Sequence, residues 1–323
     1  MTDRKLRIGV IGVGHLGEYH VQKYREMPEV HLVGVVDINK ERAEEIGRRY
    51  QTNSFLNHHD ILEKVDAVSL AVPTETHYDV AKDVLSMGVH LLIEKPITYH
   101  LEPADTLIAL AKDNNLVLQV GLVERFNPAV VGVESMVGDM VFIESHRMNT
   151  FTTRGTDVDV VLDLMIHDLD IILHLVHSEV KEIHAVGMTV LTGKTDIANA
   201  RIIFENGVVG NLTASRVSDR VTRKIRIFQP DAYLAIDCHR RELSVTQLDD
   251  TTQGKNPFPP VVTKKISYPG RDPLKDEISS FVNAVINGAE PVVPGEDGRR
   301  ALKYALEIIQ QIEKGCKEFL TIC

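Results

Sequence analysis

Two groups of residues in this chain have the types and spacing to do chemistry. The first is "GVIGVGHLG", where Gly12, Gly14 and Gly17 stand in a GxGxxG pattern with His15 and Leu16 between them. The apolar run "LRIGVIG" (6–12) precedes it and a helix-like stretch follows. At such a strand-to-helix turn the glycines serve a tight bend, a close approach of backbone to pyrophosphate, and close packing of helix on strand. The free N–H groups and dipole of the helix N-terminus favour phosphate. Asp37 ends the second strand, "VHLVGVVD", 20 residues after Gly17. A carboxylate there accepts from ribose hydroxyls and repels a 2'-phosphate, which points to NAD. Lys40 and Arg42 close by keep NADP as the lesser alternative.

The second group is "DVVLDLMIHDLDIILHLV", residues 159–176, an aliphatic run interrupted by aspartates and histidines. At about 100° per residue, Asp159, Asp163, His167, Asp170 and His174 fall on one helical stripe, with Asp168 on the other side. At about 1.5 Å per residue the stripe is too long for one reaction centre, so only neighbours can share a substrate atom. Asp163 and His167, one turn apart, suit acid–base work: the carboxylate orients the imidazole, and the imidazole takes a proton near neutral pH. Asp170 and His174 read as stabilising contacts. By residue type alone the stripe also suits the solvated face of an amphipathic helix, or a chelate with i, i+4 spacing.

Two further strand ends carry polar groups. "AVPTETHYDVA" places Pro73 at a strand end, Thr74 or Thr76 as a helix cap, and His77 in the first turn. "LLIEKPIT" places Glu94 and Lys95 at another, where a lysine can hydrogen-bond a hydroxyl or polarise a carbonyl. Pro96 restricts Lys95 to extended backbone.

The elements that position these residues follow from hydrophobic patterning. A length of 323 residues exceeds what one core usually serves, so two domains are expected. Up to residue 123, near-continuous apolar strands alternate with amphipathic helices, the pattern of a doubly wound α/β domain with a parallel sheet. From 124 to 323 an α+β domain with a large, open, mostly antiparallel sheet is expected, because strands after about residue 180 follow one another through turns. Asn206-Gly207 marks a hairpin, with positive φ expected at both central positions. Helices are expected over 273–287 and 296–314. A net charge of −10 argues against broad nucleic-acid binding. No apolar run is long enough to span a membrane, and no signal-peptide pattern opens the chain, so a cytoplasmic protein is expected. Cys238, Cys316 and Cys323 are scattered and read as free thiols.

Taken together, "GVIGVGHLG" with Asp37, "PTETH", "EKP" and the later Asp-x-x-x-His helix resemble the Gfo/Idh/MocA oxidoreductase family over essentially the whole chain. The resemblance implies a Rossmann domain followed by an open-sheet domain, and NAD(P)-dependent hydride transfer at a sugar or cyclitol carbon. It implies Lys95, Asp163 and His167 as the catalytic group, with Thr74 and His77 lining the nicotinamide side. The expected cofactor-binding set is Gly12, Gly14, His15, Leu16, Gly17, Asp37, Arg42, Pro73, Thr74, His77, Glu94 and Lys95. Hydride transfer to NAD needs no metal, and no metal site is expected.

"GLVERFNPAV" and scattered arginines bear on the substrate. Arg125, Asn127, Arg154 and Arg216 are the candidate substrate-binding residues, since arginine forks suit phosphate and hence a nucleotide-linked sugar. The "ERFNPA" segment resembles the UDP-N-acetylglucosamine 3-dehydrogenase-like branch of the family, which oxidises a sugar 3-hydroxyl. Inositol dehydrogenase-type members often carry a glycine pair before the catalytic helix, and this chain has Gly155 alone. An inositol or free-sugar dehydrogenase, and a non-catalytic NAD-binding sensor, are the alternatives. The exposed face of an open sheet commonly packs on a second copy, so a homodimer or homotetramer is expected, with no nucleic-acid or membrane partner.

Overall fold

Ile8, Val10, Leu91, Leu92 and Ile93 are buried in strands whose two faces are both covered, as helices on each side of a parallel sheet require. The computed structural model describes residues 4–152, 155, 156, 158–249 and 260–322, those from 316 onward as backbone only. In chain order the first elements are β1 (Leu6–Ile11), α1 (His15–Glu26), β2 (Val30–Val36), α2 (Lys40–Tyr50), β3 (Asn53–Phe55), α3 (His59–Leu62), β4 (Ala67–Leu70), α4 (His77–Ser86), β5 (His90–Glu94), α5 (Leu101–Asp113) and β6 (Leu118–Gly121). The strands form one parallel sheet in the order β3-β2-β1-β4-β5-β6. Strand order reverses beside β1, and ligands bind at the carboxyl ends of strands at such a switch point. Edge strand β3 is missing from the sequence expectation. At three residues, two of them exposed, it carries no apolar pattern to read.

Chain contacts divide the protein into two units. The first is Met1–Val123 with Asp272–Leu302; the second is Glu124–Arg271 with Lys303–Cys323. Strand order alone suggested an unbroken second domain over 124–323. Helix α8 (Pro273–Asn287) instead turns Ile278, Phe281 and Val282 into the first unit's core against Val21, Tyr24 and Leu92. Its ends are those the sequence signals: Asp272 accepts from the N–H groups of Leu274 and Lys275, Pro273 opens the helix, and Gly288 closes it at φ 63°.

The second unit contains α6 (Pro128–Glu134), β7 (Phe142–Met148), a π-helical turn at Val161–Met165 running into α7 (Ile166–Val176), then β8 (Val180–Met188), β9 (Ile197–Phe204), β10 (Val209–Ser215), β11 (Thr222–Phe228), β12 (Ala232–Asp237), β13 (Glu242–Leu248) and β14 (Val261–Ser267). The last helix, α9 (Gly295–Ile322), contributes its residues from Lys303. The eight strands lie in the order β14-β13-β12-β11-β7-β10-β9-β8 and are antiparallel except for the parallel β7/β10 pair. Alternate residues, such as Ala198, Ala200, Ile202 and Phe204 on β9, are buried, as a sheet covered on one face demands.

The β9–β10 hairpin forms where expected, but by a different turn. Gly207 N–H donates to Phe204 O, and Gly207 alone has positive φ (86°). Glu205 and Asn206 are therefore the central residues of an ordinary turn, followed by a left-handed glycine. Asn206 contributes through its side chain, whose Oδ1 accepts from Val208 N at 3.2 Å.

The placement of α8 can be tested by unfolding. Phe281→Ala should destabilise the protein by about 3–5 kcal/mol, read as a lower urea midpoint at unchanged slope.

Candidate active site

The glycine turn joins β1 to α1 as its spacing predicts. Gly12 has φ 82°, and a Cβ there would lie 2.6 Å from Ala71 O. At Gly17 a Cβ would lie 1.8 Å from Gly12 O, so only glycine lets the helix sit on the turn. Gly14 faces open space, and as the first residue of the α1 cap it makes no side-chain hydrogen bond. The helix N-terminus is thus uncapped by protein, beside room for a phosphate, and a dinucleotide fits it.

Asp37 closes the other side of the turn. Its Oδ2 accepts from Val13 N at 3.0 Å and its Oδ1 from Asn39 N at 2.9 Å, which fixes the carboxylate and leaves lone pairs for ribose hydroxyls. Arg42 is a clamp: Nε donates to Val13 O at 2.7 Å, while its other nitrogens pair with Glu18 and Glu45 at 2.6 and 3.1 Å. A guanidinium engaged in that way is poorly placed to neutralise a 2'-phosphate. The sequence reading had no signal for this clamp, since it runs between α2 and the backbone of the turn. His15 and Leu16 are exposed on the first turn of α1, with the His15 ring edge-on to Tyr19 at 4.9 Å.

The ends of β4 and β5 are tied together by His77. Its Nδ1 lies 2.9 Å from Pro96 O and its Nε2 3.0 Å from Val72 O. Burial lowers its pKa, and the two carbonyls act in the opposite direction. His77, expected to line the nicotinamide side, is a buried staple whose two ring nitrogens face backbone carbonyls. Thr76 caps no helix N–H. Its hydroxyl donates to Pro73 O at 2.9 Å, and Thr74 opens a short 3-10 turn, Thr74–Thr76. Lys95, half-buried, precedes Pro96 through a cis peptide bond, and its N–H donates to Glu94 Oε2 at 3.3 Å.

In the second unit the residues of the polar stripe separate into distinct tasks. Asp159 accepts from Val161 N at 2.8 Å and starts the helix. Asp170 pairs through both oxygens with Arg125, and His174 lies 3.2 Å from Glu134. Asp168, on the other side of the helix, receives Arg147 Nε and its terminal nitrogen at 3.0 and 2.6 Å. Asp163 and His167 remain half-buried. The backbone at Gly155 (φ 68°) reaches Asp163 so closely that a Cβ would lie 3.2 Å from Oδ2. The constant step of a regular α-helix does not hold here, because Val161–Met165 is a π-turn; such turns are rare and recur at functional sites.

The candidate substrate-binding residues have structural partners. Arg125, 3% exposed, is held by Asp170. Asn127 donates to Glu124 Oε2 and Cys238 O at 3.1 and 2.9 Å, and its side chain caps α6. Arg216 donates to the carbonyls of Gly155 and Val158 at 2.7 and 2.6 Å, fastening the loop ahead of the helix. Arg154 lies outside the described residues. Arg147 also donates to Glu124 Oε1 at 2.9 Å, and Arg223 approaches the same oxygen at 3.4 Å. Burial raises the Glu124 pKa, but the charges of Arg147 and Arg223 together with the hydrogen bonds from Arg147 and Asn127 hold the carboxyl below its ordinary range. Among the described residues, Cys238 is a buried free thiol, pushed up by burial.

Comparison with known proteins places both units. A family model described as an oxidoreductase family with an NAD-binding Rossmann fold matches residues 6–122, and the GFO/IDH/MocA C-terminal domain model matches 130–233. UDP-N-acetylglucosamine 3-dehydrogenase of Acidithiobacillus ferrooxidans is 39% identical over 310 residues, 95% of this chain and 97% of that protein. Its solved structure superposes with a TM-score of 0.89 at 38% identity, covering 96% and 98% of the two chains. Myo-inositol 2-dehydrogenase of Thermotoga maritima is 25% identical, covering 96% and 97%. Scyllo-inositol dehydrogenase from Lactobacillus casei, solved with NAD(H) and scyllo-inositol, shares the fold with a TM-score of 0.81 at 20% identity over 96% and 98% of the chains.

Two substitutions test this geometry. Gly17→Ala, whose Cβ must displace the Gly12 carbonyl or the helix, should lower the urea midpoint and abolish NAD binding at concentrations that saturate the wild type, read by isothermal titration. Arg147→Met, which strands Asp168 and Glu124, should cost about 3–5 kcal/mol in urea unfolding, and adding Asp168→Leu should recover part of that loss.

Proposed function

Because this chain belongs to the GFO/IDH/MocA family of NAD-binding oxidoreductases, we propose that it oxidises the 3-hydroxyl of UDP-N-acetylglucosamine, with NAD as hydride acceptor. The observation that carries the reading is 39% identity across 95% of the chain to an enzyme of that name, against 25% to the inositol dehydrogenase. The fixed Asp37 carboxylate and the committed Arg42 agree with NAD over NADP.

Bound NAD supplies the acceptor for the hydride, and the chain supplies everything else. His167 takes the hydroxyl proton as hydride leaves the carbinol carbon. Asp163, held against the Gly155 backbone, orients the imidazole. Lys95 hydrogen-bonds the reacting oxygen and stabilises the charge that develops there. The buried arginines support the frame of the helix, so recognition of the diphosphate falls to groups other than Arg125. No helix among the described residues is long and apolar enough to cross a membrane, and a cytoplasmic homo-oligomer completes the proposal. Exposed Val186 and Met188 on β8 are consistent with a further partner on that sheet.

The reading is tested by following NADH formation with UDP-N-acetylglucosamine, myo-inositol and free N-acetylglucosamine side by side. Turnover should be confined to the nucleotide sugar. His167→Ala should lower kcat by about 10²–10⁴-fold while NAD affinity stays near wild type. Turnover of myo-inositol alone would move the chain to the inositol branch. A fully active His167→Ala would transfer the base to Lys95.

A further inference from the structure

The first unit holds a buried acid that neither the glycine turn nor the strand ends use. Glu277 of α8 is fully buried, and neither carboxyl oxygen has a hydrogen-bond partner among the described residues. One of its oxygens, one oxygen of Glu94 and one ring nitrogen of His20 lie within 4.8 Å of one another. These three side chains come from α8, the end of β5 and α1, which sequence separation hides.

Of the two acids, Glu94 is the one supplied with donors. His20 Nε2, in the tautomer that carries the proton there, lies 3.1 Å from Oε1, and Lys95 N donates to Oε2 at 3.3 Å. The Glu94 carboxyl also lies over Gly121 at the end of β6, where a Cβ would come within 3.1 Å of Oε2. A buried carboxylate so close to a half-buried one is repelled by it, and the buried member of such a pair keeps its proton. Burial first, and the charge of Glu94 second, push the Glu277 carboxyl well above its ordinary range. Among the described residues, Tyr24 of α1 also interacts electrostatically with Glu277; its hydroxyl lies 2.6 Å from Ser69 Oγ, and burial keeps it neutral.

We propose that Glu277 is a positioning residue: as a neutral acid it leaves Glu94 the single carboxylate of the cluster, and Glu94 so fixed holds the Lys95 N–H and the strand end from which Lys95 projects. An ionised Glu277 would push Glu94 away from that N–H. The cluster is poorly built for a divalent cation, because His20 Nδ1 has no acceptor among the described residues. A metal-bound histidine almost always donates its second nitrogen to one.

The consequence for Lys95 rests on the functional reading above, so one arm of the test needs no substrate. A carboxyl that is protonated when folded and ionised when unfolded takes up a proton on folding. Stability then falls as pH rises above the ordinary carboxyl value of 4.5, until the folded carboxyl itself ionises. Glu277→Gln removes this dependence while keeping the shape. The melting temperature of Glu277→Gln minus that of wild type should therefore rise by about 5 °C or more between pH 5.5 and 8. A flat or falling difference overturns the proposal. So does a wild-type melting temperature that ZnCl2 or MnCl2 raises and that of Glu277→Gln does not follow, since Glu277 would then be an anionic ligand. In the second arm, Glu277→Ala should lower kcat about tenfold with NAD affinity within about threefold of wild type, and Glu277→Gln should restore most of the loss. Equal losses in both variants would remove the neutral acid from its positioning role. Inactivity of the wild type toward every sugar would instead count against the functional reading and leave the melting result standing.

Discussion

Two buried guanidinium–carboxylate pairs, Arg147 with Asp168 and Arg125 with Asp170, fix the helix that carries Asp163 and His167. Removing four charged groups from water is costly, and apolar side chains of similar volume would hold the helix at least as firmly. What the pairs add is direction. A guanidinium presents its donors in a planar fork, so each pair sets the rotation of the helix as well as its distance from the sheet. The two aspartates point to different neighbours, one on β7 and one just before α6. Held at both, the helix presents Asp163 and His167 in a single orientation. Arg216, tied to the carbonyls of Gly155 and Val158, fixes the loop that lies against Asp163.

The first unit uses neutral and charged donors in the same way. Asp37 and Arg42 both bond to the backbone of Val13, one to its N–H and one to its carbonyl, so the glycine turn is held from each side. His77 joins the ends of β4 and β5, and Glu94 receives the Lys95 N–H. At the ends of β1, β2, β4 and β5, a polar side chain is spent on backbone. The start of α1, uncapped by any side chain, and the space above Gly14 are left open.

Local chemistry was readable where the signal lies within a few residues. The glycine spacing, the strand alternation, the helix at 273–287 and the hairpin at Asn206-Gly207 all depend on neighbours in sequence, and they form where expected. The parallel sheet and the mostly antiparallel sheet followed from hydrophobic periodicity. What stayed hidden depends on partners far along the chain. Arg125 and Asn127 looked like ligand groups because nothing in "ERFNPA" names Asp170 or Cys238 as their partners. The buried roles of His77 and Glu277 arise from strand ends and a helix that meet only in the fold. The π-turn at Val161–Met165 left no mark in residue type, and it alters the angular step on which a helical wheel relies.

The central claim is that hydride leaves the sugar carbon bearing the 3-hydroxyl. It is tested most directly with UDP-N-acetylglucosamine carrying deuterium at that carbon. The account predicts that the label appears at C4 of the reduced nicotinamide and that single-turnover reduction of NAD slows by a primary isotope effect. NADH formed without label, at an unchanged single-turnover rate, would contradict it.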